Sequence, residues 1–104
     1  MIAELTNQTA RLRELCEKFD VERLEVFGSA VADDGFDAAN SDLDFIVDFR
    51  AGADLGPWLR RYFELRSAIA ELFGRSVDLV MASAMKDPHF VREAARTRRV
   101  LYAR

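Results

Sequence analysis

The stretch Ser41-Asp42-Leu43-Asp44-Phe45-Ile46-Val47-Asp48-Phe49 contains the clearest β-strand of the sequence. Successive side chains of a strand point to opposite faces of a sheet. One face of this strand therefore carries Leu43, Phe45, Val47 and Phe49, and the other carries Asp42, Asp44, Ile46 and Asp48. The alternation predicts a strand over Asp42–Phe49 with an apolar face toward a core and a mainly acidic face away from it.

Asp42 and Asp44 are the first candidates for a functional site. A spacing of two residues places their Cα atoms about 6.6 Å apart and both carboxylates on the same face. Two like charges so placed raise the cost of ionisation unless they share a cation, and Mg²⁺ binds a few carboxylates together with substrate phosphates. Taken alone, the pair is better explained as two solvent-exposed acids on an ordinary strand.

The residues on either side of this strand predict alternating helices and strands. Before it we expect a helix from about Ile2 to Phe19, a strand over Arg23–Phe27, a helical turn over Ser29–Ala32 and a loop over Asp33–Asn40. After it we expect a long helix from Leu55 to Phe73 ended by Gly74, a strand over Val77–Val80, a helix opened by Asp87 and Pro88, and a short strand over Val100–Tyr102. This order predicts an α/β (α+β) fold with a small mixed β-sheet flanked by helices.

Composition limits the classes of protein that this chain can represent. Its 104 residues, of which 50% are hydrophobic, suit a single domain over 1–104 that needs neither disulfide nor structural metal. We expect Cys16 to be a buried, reduced thiol, and we expect a cytoplasmic protein because neither a secretion signal nor an apolar run of about 20 residues is present. The net charge of −3 argues against nucleic acid as a partner.

Asp78 interrupts the otherwise apolar run Val77–Val80, where a sheet core would favour another aliphatic residue. A buried, ionised carboxylate costs several kcal/mol unless it is paired, so a third acid directed at the metal site of Asp42 and Asp44 would explain it. The alternatives are an exposed position at a strand edge or an ion pair with Arg75.

Gly28-Ser29 ends the first predicted strand and begins a helical turn. Glycine lets the backbone approach a phosphate closely, and the N–H groups at the start of a helix favour an anion. The simpler explanation of an isolated Gly-Ser is a plain turn with Ser29 as the helix cap.

Taken together, Gly28-Ser29, Ser41-Asp42-Leu43-Asp44 and Asp78 resemble the motifs of the DNA polymerase β-like nucleotidyltransferase superfamily. The short length and the run Gly74–Val80 resemble its minimal nucleotidyltransferase (MNT) branch. Members of that branch are typically encoded beside a HEPN-domain protein, as the antitoxin of a toxin–antitoxin pair. The resemblance covers roughly Leu24 to Tyr102, and it implies the polymerase β-like nucleotidyltransferase fold.

The resemblance also implies an activity and a role for each motif. AMP would pass from ATP to a hydroxyl group, implied to be a tyrosine of the HEPN toxin, and pyrophosphate would be released. Asp42 and Asp44 would bridge two Mg²⁺ ions, and Asp78 would hold the catalytic ion and help to deprotonate the hydroxyl. Gly28 and Ser29 would bind the β- and γ-phosphates.

Two departures from the family pattern leave other functions open. The arginine that commonly follows Gly-Ser is missing from Ala30–Asp34, and the acidic loop before Asp42 is longer than usual. The chain could therefore be a non-catalytic antitoxin that neutralises its partner by binding alone. A third alternative is a catalytic subunit that modifies a small molecule such as an aminoglycoside, with a separate chain supplying the substrate-binding domain. The sequence also leaves open whether the protein forms a homo-oligomer. The arginines after Pro88 are expected on a solvated face, and they are the best local source of positive charge for a triphosphate: Arg92, Arg96, Arg98 and Arg99.

Overall fold

The computed structural model describes residues 1–32, 36 and 42–104. Its strands are β1 (Val21–Phe27), β2 (Leu43–Phe49), β3 (Val77–Met81) and β4 (Arg99–Ala103). Its α-helices are α1 (Ala3–Asn7), α2 (Thr9–Lys18), α3 (Ser29–Ala32), α4 (Arg60–Phe73) and α5 (Pro88–Ala95), and short 3₁₀ turns cover Pro57–Leu59 and Ala82–Ala84. Most of the predicted loop Asp33–Asn40 lies outside the described residues.

The four strands form one mixed sheet in the order β3-β2-β1-β4. β1 runs antiparallel to both β2 and β4, whereas β2 and β3 are parallel. Parallel neighbours need a crossover connection, and α4 supplies it between β2 and β3. The predicted mixed sheet flanked by helices is confirmed.

The main core lies between one face of the sheet and helices α2 and α4. The sheet contributes Leu24, Val26, Phe45, Val47 and Leu79, and the helices contribute Leu12, Cys16, Leu65 and Ile69, all of them buried. The Tyr62 hydroxyl of α4 donates a hydrogen bond to the Leu79 carbonyl of β3, which ties this helix to the edge of the sheet. Cys16 is buried as predicted, and burial raises the pKa of its thiol to about 12.

Helix α5 covers part of the opposite face of the sheet. Phe27, Ile46 and Ala94 form a second buried cluster, against which Phe90 packs. Ile46 was predicted on the acidic face of β2 and does lie there, but it is only 2% exposed because α5 packs over it. The N-terminal cap of α5 is the predicted one, since the Asp87 side chain accepts a hydrogen bond from the His89 N–H at 3.0 Å.

The single N-terminal helix predicted from Ile2 to Phe19 is wrong, because the chain forms two helices that meet at Gln8. Gln8 has φ −107° and ψ 15°, outside the helical range. The Thr9 hydroxyl donates to the Thr6 carbonyl at 2.9 Å, and such side-chain bonds compete with the helical pattern. The apolar spacing alone could not reveal this interruption.

The long helix begins five residues later than predicted, at Arg60 instead of Leu55. Trp58 and Leu59 both have left-handed backbone conformations, with φ of 58° and 56°. A left-handed residue cannot continue a right-handed helix, so Pro57–Leu59 forms a separate turn. Among the helices of the described residues, none is long and apolar enough to span a membrane.

Glu25 of β1 carries a charge in a buried position, since the residue is 6% exposed. Arg98, which lies between α5 and β4, donates to Glu25 Oε2 from Nε at 2.9 Å and also from Nη2. Arg23 Nε is more distant, 4.0 Å from Glu25 Oε1. A buried carboxylate depends on such pairing, and the contact fastens the chain after α5 to the centre of the sheet.

Arg98→Ala should lower the free energy of unfolding by about 2–3 kcal/mol, because it leaves the Glu25 carboxylate buried without its close partner. Adding Glu25→Met to this variant should recover most of the loss. Urea denaturation followed by circular dichroism measures both. Arg99→Ala is the matched control: Arg99 is exposed, so its removal should change stability by less than about 0.5 kcal/mol. Equal effects of the two arginine variants would contradict the assignment.

Candidate active site

The sheet brings together the acids predicted from sequence at one end of β2 and β3. Asp44 on β2 and Asp78 on β3 are register partners across the parallel pair. Asp42 directly precedes β2, two residues before Asp44. Asp44 is partly buried, whereas Asp42 and Asp78 are exposed.

The electrostatic environment of Asp44 reflects this arrangement. Burial, together with the neighbouring charges of Asp78 and Asp42, raises the pKa of the Asp44 carboxyl from 3.8 to about 6. All three carboxylates therefore contribute to one region of negative potential. Such a region resists full ionisation until a cation compensates its charge.

Asp78 is not the buried acid that the apolar run around it suggested. β3 is an edge strand, and Asp78 is exposed on the face opposite to the buried Val77 and Leu79. The predicted alternative of an exposed edge position is thus correct for its burial, while its register with Asp44 also agrees with a shared site. Arg75 forms its described ion pair with Glu4, at 3.1 Å.

Gly28 lies against the Asp44 carboxylate. It has a φ of +82°, and a Cβ at this position would lie 2.8 Å from Asp44 Oδ2. No side chain fits into that space without moving the carboxylate, and the left-handed conformation also favours glycine. The requirement for glycine here therefore comes from the acid site as much as from the turn.

The Gly28 N–H group, in the turn predicted to bind phosphates, has a partner within the protein. It donates to the Thr97 hydroxyl oxygen at 2.7 Å. Thr97 follows α5 and is 69 residues away in sequence, so no local pattern could have identified it. The Gly28 carbonyl accepts from the N–H groups of Val31 and Ala32, which places Ser29 at the start of α3.

The chemistry of these donors fits Mg²⁺. Asp42, Asp44 and Asp78 offer only hard oxygen ligands, and Mg²⁺ binds through one or two carboxylates plus phosphates and waters. In residues 1–32, 36 and 42–104, no three acidic, histidine or cysteine side chains converge closely enough to hold a metal by themselves. Asp44 and Asp78 are register partners, so these two carboxylates would be placed to hold an ion together with substrate oxygens.

Comparison with known proteins identifies the family to which this chain is similar. The family model described as polymerase beta, nucleotidyltransferase matches residues 10–104. The chain is 41% identical over 78 residues to the protein adenylyltransferase MntA of Thermococcus cleftensis, a match that covers 75% of this chain and 73% of that relative.

Solved structures share the fold. A provisionally named minimal nucleotidyltransferase matches with a TM-score of 0.71 and 27% identity, over 91% of this chain and 90% of its own. A structure of a tri-AMPylated Shewanella oneidensis HEPN toxin in complex with MNT antitoxin matches with a TM-score of 0.64 and 17% identity, over 96% of this chain and 73% of that one. The second likeness is one of fold alone. With the sheet, the acid pair and the family model in agreement, the chain belongs to the polymerase β nucleotidyltransferase family, as a minimal nucleotidyltransferase domain.

Proposed function

We propose that this protein transfers AMP from ATP to a tyrosine hydroxyl of a HEPN-domain toxin and thereby acts as an antitoxin. The observation that carries the proposal is the register pairing of Asp44 with Asp78, with Gly28 against the Asp44 carboxylate. Transfer of a nucleotidyl group requires acids that hold metal ions and a neighbouring turn that binds phosphates. The name of the relative MntA, protein adenylyltransferase, supports a protein as the acceptor.

In the proposed reaction the acceptor oxygen bonds to the α-phosphorus of ATP. The bond from that phosphorus to its bridging oxygen breaks, and pyrophosphate leaves with the electron pair. The acceptor proton passes to Asp78, whose exposed position on an edge strand is open to an incoming hydroxyl. Asp42, Asp44 and Asp78 would hold two Mg²⁺ ions, which supply stabilisation of the charge on the triphosphate and on the departing pyrophosphate.

Gly28 and Ser29 have separate roles in this proposal. Gly28 leaves room for the Asp44 carboxylate and lets the backbone run close to the β- and γ-phosphates. Because the Gly28 N–H is bonded to Thr97, the polar contact to phosphate falls to Ser29, through its hydroxyl at the start of α3.

The HEPN partner is proposed from a likeness of fold. The Shewanella oneidensis complex joins a tri-AMPylated HEPN toxin to an MNT antitoxin. We propose that the toxin itself completes the acceptor-binding site. The described residues also leave β3, with Asp78, at the open edge of the sheet, where a partner can approach.

A second candidate is an antitoxin that acts by binding alone. The observation that favours it is the hydrogen bond from Gly28 N–H to Thr97, which occupies a donor expected to serve the triphosphate. The two candidates differ in whether the partner changes mass.

We expect this protein, incubated with ATP, Mg²⁺ and its HEPN-domain partner, to add AMP to a tyrosine of that partner. Intact-mass spectrometry should detect the added AMP. EDTA should abolish the addition because, without Mg²⁺, the negative charges of the acids and of the triphosphate repel each other. A stable complex whose toxin keeps its mass with ATP and Mg²⁺ present would favour the binding-only antitoxin instead.

Asp44→Asn should lower AMP transfer by at least about a hundredfold, since it removes the carboxylate that lies beside both Asp78 and Asp42 in the proposed metal site. Asp78→Asn should act similarly. Asp48→Asn, a change of an exposed acid on the same strand, is the matched control and should retain activity. Transfer at the wild-type rate by the Asp44 variant would remove the site from the proposed mechanism.

The same Asp44→Asn variant should be more stable than the wild type in EDTA at pH 8, by about 1 kcal/mol after screening by water. The pKa of Asp44 is raised from 3.8 to about 6, so the stabilising protonated form is present below pH 3.8 and is lost as the pH rises through 6. Asparagine is neutral throughout, so the advantage of the variant should disappear near pH 4. Urea denaturation at the two pH values measures this. A variant that is less stable at pH 8 would identify Asp44 as a structural acid.

A further inference from the structure

A cavity of about 390 Å³ adjoins the Gly28-Ser29 turn, between α3 and α5. Phe27 and Phe90 form part of its wall, with their rings perpendicular and their centroids 5.7 Å apart. Gly28 lines this cavity and also lies beside the Asp44 carboxylate, so one residue borders both the cavity and the candidate active site.

The turn after α5 that borders this cavity is fastened on both sides of Arg96. On one side, Thr97 accepts the hydrogen bond from Gly28 N–H at 2.7 Å. On the other, Arg98 binds the buried Glu25 carboxylate, with 2.9 Å from Nε to Oε2. Two contacts to β1 and its turn therefore fix the backbone at Arg96 beside Gly28-Ser29.

Arg96 itself is free to reorient. It lies at the C-terminal end of α5, and its guanidinium is 3.9 Å from the Glu93 carboxylate, with side chains 74% and 56% exposed. An exposed ion pair this long contributes little, so exchanging Glu93 for a better anion costs little. Of the described residues that line the cavity, Arg96 is the one that carries a positive charge.

A nucleoside triphosphate approaching this site meets the negative charges of Asp42, Asp44 and Asp78. Mg²⁺ held by these acids would offset part of that repulsion, and a cationic side chain beside the outer phosphates would add to the compensation. A guanidinium suits this task because it donates two parallel hydrogen bonds to phosphate oxygens.

We propose that Arg96 binds the outer phosphates of the nucleoside triphosphate from the cavity beside Gly28-Ser29. The inference rests on the proposed function, and it identifies a binding residue for that reaction outside the acid and Gly-Ser motifs. Arg96 exchanges its weak pair with Glu93 for the phosphates, while Thr97 and Arg98 keep the turn in place.

Isothermal calorimetry with ATP and with AMP, each in the presence of Mg²⁺, tests this assignment. Arg96→Gln should weaken ATP binding about tenfold, since one charged hydrogen-bonding group is lost, and should change AMP binding by less than about twofold. Arg96→Lys should recover part of the ATP affinity. Glu93→Gln should leave ATP binding equal or tighter, because the competing anion is gone.

Arg92→Gln is the matched control, because Arg92 is an exposed arginine on the same helix that does not line the cavity. It should leave ATP binding within about twofold of the wild type. Equal weakening by both arginine variants, equal weakening for ATP and AMP, or wild-type ATP binding by Arg96→Gln would each overturn the role of Arg96. Failure of the wild-type protein to bind ATP at all would instead overturn the proposed function.

Discussion

The candidate site depends on residue 28 being a glycine, which has no side chain. β1 ends at Phe27, which is the register partner of Asp44, and the chain must then turn directly past that carboxylate. A Cβ would lie 2.8 Å from Asp44 Oδ2, so only glycine lets the turn and the acid occupy adjacent space. The partial burial of Asp44 and its raised pKa belong to this crowded end of the sheet.

The position of the acids is set by apolar packing on the other face of the sheet. β2 and β3 pair in parallel with Leu43 opposite Val77 and Phe45 opposite Leu79, all four buried beneath the helices. A slip of one residue would turn these side chains away from the core, so the core selects the register. The same register sets Asp44 opposite Asp78. The hydrophobic core thereby fixes the geometry of a charged site to which it contributes no atoms.

Sequence predicted the parts of this structure that local patterns encode. The alternation over Leu43–Phe49 and the cap at Asp87 need only neighbouring residues, and both are present. The break at Gln8 and the left-handed Trp58 depend on backbone choices that apolar periodicity does not record. The bond between Thr97 and Gly28 joins residues 69 positions apart, so only the folded sheet brings them together. The acids were predicted as candidates, but their burial depends on which strand lies at the edge.

The left-handed turn before α4 also determines the intrinsic tryptophan fluorescence of this protein. It holds Trp58, the single tryptophan of the chain, with its side chain directed outward and the residue 93% exposed. An indole so fully hydrated in the native state has nearly the same surroundings as in an unfolded chain. Tryptophan emission should therefore change little when the protein unfolds, although unfolding exposes the buried hydrophobic core. Ultraviolet fluorescence of this domain thus reports on the solvent at one surface turn and hardly on the fold.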